Sequence, residues 1–172
     1  MKYFNLTELT ASATAERLAI DNTPPHAARK MLSILVEQLL DPIRRRYGAP
    51  ILVTSGYRCP ALNSAVGGVA NSHHIVGCAA DIAGETTRSL FHLIVQMQQE
   101  GQIRFTQLIA EEGYRWLHIS YVPGMLRNQV IDVNVNDNEN VDINQPSGKQ
   151  STFSSSSTLK ESTLKKDYQD SG

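Results

Sequence analysis

Residues with chemical potential concentrate in the segment Ser72-His73-His74-Ile75-Val76-Gly77-Cys78-Ala79-Ala80-Asp81. It places His74 and Asp81 seven positions apart, and Asp81 lies between alanine and Ile82 on a predicted apolar strand. A carboxylate on such a strand is costly unless a cationic group lies close to it. The stretch therefore predicts a strand whose one charged residue has a functional role.

A further histidine lies downstream, in the middle of the predicted strand Trp116-Leu117-His118-Ile119-Ser120. Two imidazoles and one carboxylate are donors that suit Zn²⁺, and three protein ligands leave the fourth tetrahedral position for a water. The alternative interpretation of His118 is a hydrogen-bonded core histidine. Cys59 and Cys78 are interpreted as small buried residues or as thiolate ligands.

Two carboxylates end the neighbouring predicted strand, which runs over Thr106–Glu111 and is followed by Glu112. A zinc-bound water needs a nearby carboxylate that takes its proton and passes it to a leaving amine. Side chains alternate along a strand, so Glu111 and Glu112 cannot both face the same site if the strand is regular. Either residue is a candidate for the base.

The rest of the first 132 residues predicts an α+β domain with a small antiparallel sheet and flanking helices. A long helix is expected with Thr23 as its N-cap and Pro24 in its first turn, and Pro42 is expected to kink it. Its apolar residues recur at helical spacing: Ala28, Met31, Leu32, Leu35, Val36, Leu39 and Leu40. The other expected elements are helices over Glu8–Thr10, Ala13–Ala19 (capped by Ser12) and Arg88–Gln99, and strands over Ile51–Thr54, Thr106–Glu111, Trp116–Val122 and Gln129–Val133.

Composition excludes several classes of protein. The 172 residues carry 16 Lys+Arg against 17 Asp+Glu, a net charge of -1, which gives no basic surface for nucleic acid or an anionic membrane. No apolar run reaches the ~20 residues of a spanning helix, and the N-terminus lacks the apolar region of a secretory signal. Two cysteines cannot build a disulfide framework. We therefore expect a globular protein made in the cytoplasm.

The composition changes near residue 133. The last 40 residues contain eight serines, among them Ser154–Ser157, and their only aromatic residues are Phe153 and Tyr168. Such a segment cannot bury enough apolar surface to offset its ordering entropy. The sequence predicts a domain over residues 1–132 and a flexible Ser/Asn-rich tail over 133–172. The alternative is a docking peptide that folds on a partner.

Three motifs in order resemble the zinc D-Ala-D-Ala carboxypeptidase and L,D-endopeptidase family of peptidoglycan peptidases. The first is the family pattern Ser-x-His-x-x-Gly-x-Ala-x-Asp, intact in the stretch quoted above. Thr54–Asn63 looks like the family's Ser-Gly-Tyr-Arg segment, and Trp116–Ser120 looks like its Trp-Val-His strand. The resemblance covers residues 4–121 and is nearest to the compact members found in bacteriophages and prophages. It implies the Hedgehog-like zinc fold.

The resemblance also implies a role for each site residue. His74, Asp81 and His118 would bind one Zn²⁺ per chain. Arg58 would hold a substrate carboxylate or polarise the scissile carbonyl, and Ser72 would hydrogen-bond the substrate. Many members have Gln at the position of His73. The resemblance leaves three roles open for this residue: it donates a hydrogen bond to a metal ligand, it contacts the substrate, or it is only the neighbour of the true ligand.

The catalytic base is the point at which the chain departs from some relatives. Those members place a carboxylate three residues before the last histidine, where this chain has Arg115, which cannot accept a proton. Phage-like members carry a Gln-Leu-Ile-x-Glu strand instead, which matches Gln107–Glu111. The resemblance thus favours Glu111 over Glu112.

The function implied is a zinc metallopeptidase that cuts the peptide stems of bacterial cell-wall peptidoglycan, as a carboxypeptidase or as an endolysin-like endopeptidase. A cytoplasmic product would reach the wall after release or as a phage component. Two alternatives remain open. One is a catalytically weak peptidoglycan-binding module, and the other is a phage structural protein whose tail docks onto a virion or assembly partner.

Overall fold

The structure, a computed structural model, describes residues 1–133. The predicted tail therefore lies outside the described residues, apart from Val133 at its start. Within residues 1–133, no helix is both long enough and apolar enough to cross a membrane.

The helices precede most of the sheet in the chain and confirm the α+β class. Their bounds are α1 Ala13–Arg17, α2 His26–Leu35, a π-helical segment Val36–Leu40, α3 Asp41–Tyr47, α4 Pro60–Ala65 and α5 Thr87–Gln99. As predicted, the Ser12 side chain caps α1 by accepting a hydrogen bond from the Ala15 amide. The expected helix over Glu8–Thr10 is a turn, and α4 was not predicted.

The start of α2 corrects the predicted cap. The helix begins at His26 with Pro25 as its N-cap, rather than with Thr23 and Pro24. A residue before proline is disfavoured in the helical region, so Pro24 stays out of the helix because Pro25 follows it.

Pro42 does not produce a simple kink. The helix widens into the π-helical segment just before it, and α3 then starts at Asp41 with Pro42 in its first turn. Proline has no N–H to continue the helical ladder, and its ring crowds the preceding turn.

Five strands form one mixed sheet in the order β1-β2-β4-β3-β5. They span β1 Ile51–Ser55, β2 Ala79–Gly84, β3 Gln107–Glu111, β4 Trp116–Ser120 and β5 Gln129–Asp132. The first four pair antiparallel, as predicted, but β5 pairs parallel to β3. Both edges of β4 are occupied, one by β2 and the other by β3. The chain that leaves β4 therefore reverses its direction and pairs with the free edge of β3. Since β3 is antiparallel to β4, the reversed strand β5 runs parallel to β3.

The two faces of the sheet have different roles. On β4, Leu117 and Ile119 are fully buried in the hydrophobic core, together with residues of α2, the π-helical segment and α5. His118 lies between them in sequence and therefore faces the other side. The core-facing residues hold the strands in register, and this register places the polar residues of the second face.

Candidate metal centre

Asp81 and His118 face each other across the β2–β4 ladder, where they are directly paired. Oδ1 of Asp81 lies 3.0 Å from Nδ1 of His118. Antiparallel pairing holds opposite side chains a few ångströms apart, so the backbone alone brings these two groups together.

His74 reaches the same point from the loop before β2. Its Nε2 lies 3.1 Å from Oδ1 of Asp81 and 3.2 Å from Nδ1 of His118. Its other ring nitrogen, Nδ1, lies 2.6 Å from the carbonyl oxygen of Gly56. A carbonyl only accepts hydrogen bonds, so Nδ1 carries the proton and the neutral ring presents the lone pair of Nε2 to the site.

These three residues form a group whose ligand atoms could hold one metal ion. The lone pair of Nε2 of His74 faces a carboxylate oxygen of Asp81, an arrangement that a cation between the two atoms stabilises. The separations of 3.0–3.2 Å are close to the edge of about 3.3 Å expected for ligands 2.0–2.1 Å from a tetrahedral Zn²⁺. The donor set and the tautomer of His74 therefore fit a zinc ion.

Arg58 holds the second oxygen of the Asp81 carboxylate. Its Nη2 donates to Oδ2 of Asp81 and lies 3.4 Å from Nε2 of His74, while its Nε donates to Oγ of Ser55 at 2.8 Å. Burial alone would raise the pKa of Asp81, but its contacts with His118 and His74 outweigh burial and hold that pKa well below its usual range. The carboxylate is therefore ionised, as a metal ligand must be.

The group opens into a cavity of about 810 Å³ on the second face of the sheet. Every candidate site residue that the sequence analysis favoured lines it: Arg58, Ser72, His73, His74, Asp81, Glu111 and His118. His73 is outside the metal-binding group. Its main-chain carbonyl accepts from the Cys78 amide.

The two candidate bases lie in different surroundings. Glu111 shares its strand face with Gln107 and Ile109, and all three line the cavity. Glu112 is exposed, lies outside the cavity lining and pairs with Arg115 at 2.7 Å. Position therefore favours Glu111.

The two cysteines lie outside the metal-binding group. Sγ of Cys59 accepts from the Leu62 amide and caps α4. Cys78 is buried, and burial raises the pKa of its thiol. Both positions agree with structural roles rather than with thiolate ligands.

Sequence reasoning missed the Gly56 carbonyl, which orients His74, and the Ser55 hydroxyl, which accepts a hydrogen bond from Arg58. The carbonyl carries no side-chain signal. The glycine at position 56 is itself a sequence signal, because a Cβ at this position would lie 2.1 Å from the Leu9 carbonyl oxygen. Only glycine permits that approach, but the sequence does not reveal which backbone lies opposite.

Comparison with known families agrees with this geometry. The family model described as Peptidase M15 matches residues 2–120, which include all three residues of the metal-binding group. No curated protein matches the chain. From the extent of the family match, and with the His-Asp-His group assembled inside it, we conclude that the chain belongs to the peptidase M15 family of metallopeptidases.

Proposed function

We propose that this protein is a zinc-dependent peptidase that hydrolyses peptide bonds in the stem peptides of bacterial peptidoglycan. The observation that carries the proposal is the convergence of His74, Asp81 and His118 at the base of an open cavity. Membership of the M15 family supports peptide hydrolysis by a metal-activated water.

The three ligands would hold the ion through Nε2 of His74, Oδ1 of Asp81 and Nδ1 of His118. When bound, zinc supplies a Lewis acid and lowers the pKa of its water toward ~7. The protein's part is to present these atoms with little rearrangement. The Gly56 carbonyl fixes the tautomer of His74, and Arg58 fixes the orientation of Asp81.

Glu111 is the base in this mechanism. Its carboxylate accepts the proton of the attacking water and returns it to the nitrogen of the leaving group as the peptide bond breaks. Its place at the end of β3, opposite Trp116 on β4, keeps it on the cavity face of the sheet.

For Arg58 we propose orientation of a metal ligand in addition to one of the two roles that the family resemblance implies. Two of its nitrogens are committed to Ser55 and Asp81. Among residues 1–133, Nη1 has no hydrogen-bond partner and remains for the carbonyl oxygen of the scissile bond. We assign Arg58 to ligand orientation and to that carbonyl, and not to a substrate carboxylate.

Mass spectrometry of purified peptidoglycan fragments tests the proposal. Fragments are digested with the zinc-loaded protein, with the chelated protein and with the chelated protein to which zinc is returned. We expect new amino and carboxyl termini in the stem peptides in the first and third samples only. Unchanged fragments in all three samples would contradict the proposal, and the products also distinguish carboxypeptidase from endopeptidase cleavage.

A further inference from the structure

The cavity contains a second arginine that the mechanism does not use. Arg127 lines it from the loop 121–128 between β4 and β5. This residue lies beyond residues 2–120, the part that the family model matches. Arg127 therefore lies outside the segment that carries the family match.

The charge of Arg127 is not neutralised within the described part of the chain. Two carboxylates line the cavity, and Asp81 is occupied by Arg58 and the two histidines. Glu111 forms no ion pair with Arg127 within residues 1–133, and the Arg127 side chain is exposed. Of the two arginines that line the cavity within residues 1–133, Arg58 is paired with Asp81, whereas Arg127 has no acidic partner in that part of the chain.

The backbone on both sides of Arg127 is fixed. The carbonyl of Leu126 accepts from Nη2 of Arg104 at 3.2 Å, and the Arg127 amide donates to the Met125 carbonyl at 2.9 Å. On the other side, Asn128 exchanges two hydrogen bonds with Phe105, one from its amide at 2.8 Å and one to its Oδ1 at 3.0 Å. The loop is thus anchored to the segment that leads into β3.

The anchoring of the backbone is important because the Arg127 side chain itself is long and exposed. A guanidinium that extends from a fixed Cα loses less freedom on binding than one on an unsupported loop. Arg127 and His73 both line the cavity that holds the metal-binding group.

We propose that Arg127 binds a carboxylate of the peptide substrate and makes the enzyme selective for acidic peptides. The planar fork of arginine matches a carboxylate through two parallel N–H···O bonds. Stem peptides carry such groups at the C-terminus and at the α-carboxyl of a γ-linked glutamyl residue. The proposal rests on the proposed peptidase function and names its substrate class.

Three forms of one probe separate the two sources of the carboxylate. The probe is L-alanyl-γ-D-glutamyl-L-lysyl-D-alanyl-D-alanine, used unmodified, amidated at the C-terminus, or amidated at the glutamyl α-carboxyl. The full zinc-loaded chain is compared with Arg127→Gln, with Arg127→Lys and with the control Arg45→Gln, a substitution at an exposed arginine of α3 outside the cavity lining.

We expect Arg127→Gln to raise KM for the unmodified peptide roughly three- to tenfold with kcat little changed, as for loss of one charge-assisted contact. The amide form that lacks the recognised carboxylate should bind the wild type and Arg127→Gln equally. Arg127→Lys should restore part of the affinity, and Arg45→Gln should behave as wild type. If Arg127→Gln discriminates acid from amide as strongly as the wild type, the proposal is wrong.

Calorimetric binding of the same peptides keeps this test separate from the peptidase function. If the wild type cleaves none of the probes, the proposed function fails, but acid-against-amide binding still gives a result for Arg127. Preference for the acid in the wild type that is lost in Arg127→Gln supports the carboxylate site. Equal binding of all three peptides to the wild type overturns it.

Discussion

Asp81 and His118 are direct partners in the β2–β4 ladder, with Oδ1 and Nδ1 3.0 Å apart although 37 residues separate them in the chain. A shift of one residue in this register would turn His118 toward the hydrophobic core and bring Leu117 or Ile119 to the cavity face. The apolar neighbours of His118 therefore enforce the geometry of the metal-binding group.

Zinc content tests the ligand set directly. We expect about one zinc per chain in the wild type, and loss of most of it in His74→Ala and in His118→Ala, since each removes one of three protein ligands. His92→Ala, at an exposed histidine of α5, is the matched control and should keep its zinc. Elemental analysis measures all four proteins. Full zinc in both ligand variants would refute the site.

The catalytic base is tested by a pair of neighbouring substitutions. Glu111→Gln should lower kcat by roughly 10²–10⁴, the usual contribution of a general base, and should leave the zinc content unchanged. Glu112→Gln should change kcat by less than about twofold, because Glu112 is exposed and loses only a surface pair with Arg115. Peptide hydrolysis with parallel metal analysis distinguishes the two. The opposite ranking would assign the base to Glu112.

Substitutions of the adjacent residues His73 and His74 should differ in their effect on zinc binding. His74→Gln should cost both zinc and activity, because Nε2 of His74 belongs to the metal-binding group. His73→Gln should keep its zinc and change activity modestly, because His73 lies outside that group while lining the same cavity. Zinc titration of both proteins is the measurement. Zinc lost from the His73 variant and retained by the His74 variant would reverse the assignment.

Gly56→Ala should weaken zinc binding although it removes no ligand. The new Cβ would lie 2.1 Å from the Leu9 carbonyl oxygen, so the backbone must shift and take with it the carbonyl that orients His74. Loss of such an orienting contact costs roughly 10- to 100-fold in metal affinity.

Gly48→Ala is the matched control for strain alone. Gly48 has a φ of 78° with nothing within 4 Å of an added Cβ. This variant should unfold more easily, yet bind zinc as the wild type does in a competition titration with a chromogenic chelator. Unchanged zinc affinity in Gly56→Ala would show that its carbonyl does not orient His74.

Tyr114 should make the stability of the fold depend on pH in the alkaline range. Its hydroxyl donates to Oδ2 of Asp132, and its ring packs against Arg88 and Phe91 of α5. Burial and then the bond to Asp132 raise the pKa of Tyr114 from 10.0 to about 12. The folded state therefore favours the neutral phenol, and this stabilisation is complete below pH 10 and is lost as the pH rises toward 12.

Tyr114→Phe provides the measurement. We expect its free energy of unfolding to be about 1–2 kcal/mol below that of the wild type at pH 8, for loss of one hydrogen bond to a charged group. The difference should shrink between pH 10 and pH 11, because only the wild type loses the stabilisation of this phenol. Denaturant unfolding of both proteins at pH 8, 9, 10 and 11 measures this difference in the free energy of unfolding. A difference that stays constant over this range would contradict the shifted pKa.

Local sequence rules predicted secondary-structure elements correctly where a single residue determines the local backbone conformation. Ser12 caps α1 because a short hydroxyl side chain satisfies a free amide of the first turn. The same rules failed where two prolines compete, since Pro25 excludes Pro24 from α2. They also missed the parallel pairing of β5 with β3, because strand direction depends on which sheet edge is free.

The chemistry of the candidate site follows from residue types and their order along the chain. The types and order of His74, Asp81 and His118 indicated a metal-binding group, and strand alternation indicated that Glu111 and Glu112 cannot both face it. Which groups orient and neutralise these ligands depends on the tertiary structure. The Gly56 carbonyl and the Arg58 guanidinium contact His74 and Asp81 because their segment packs against Leu9 and His74. No spacing along the chain encodes those contacts, since they depend on how the sheet and its loops pack.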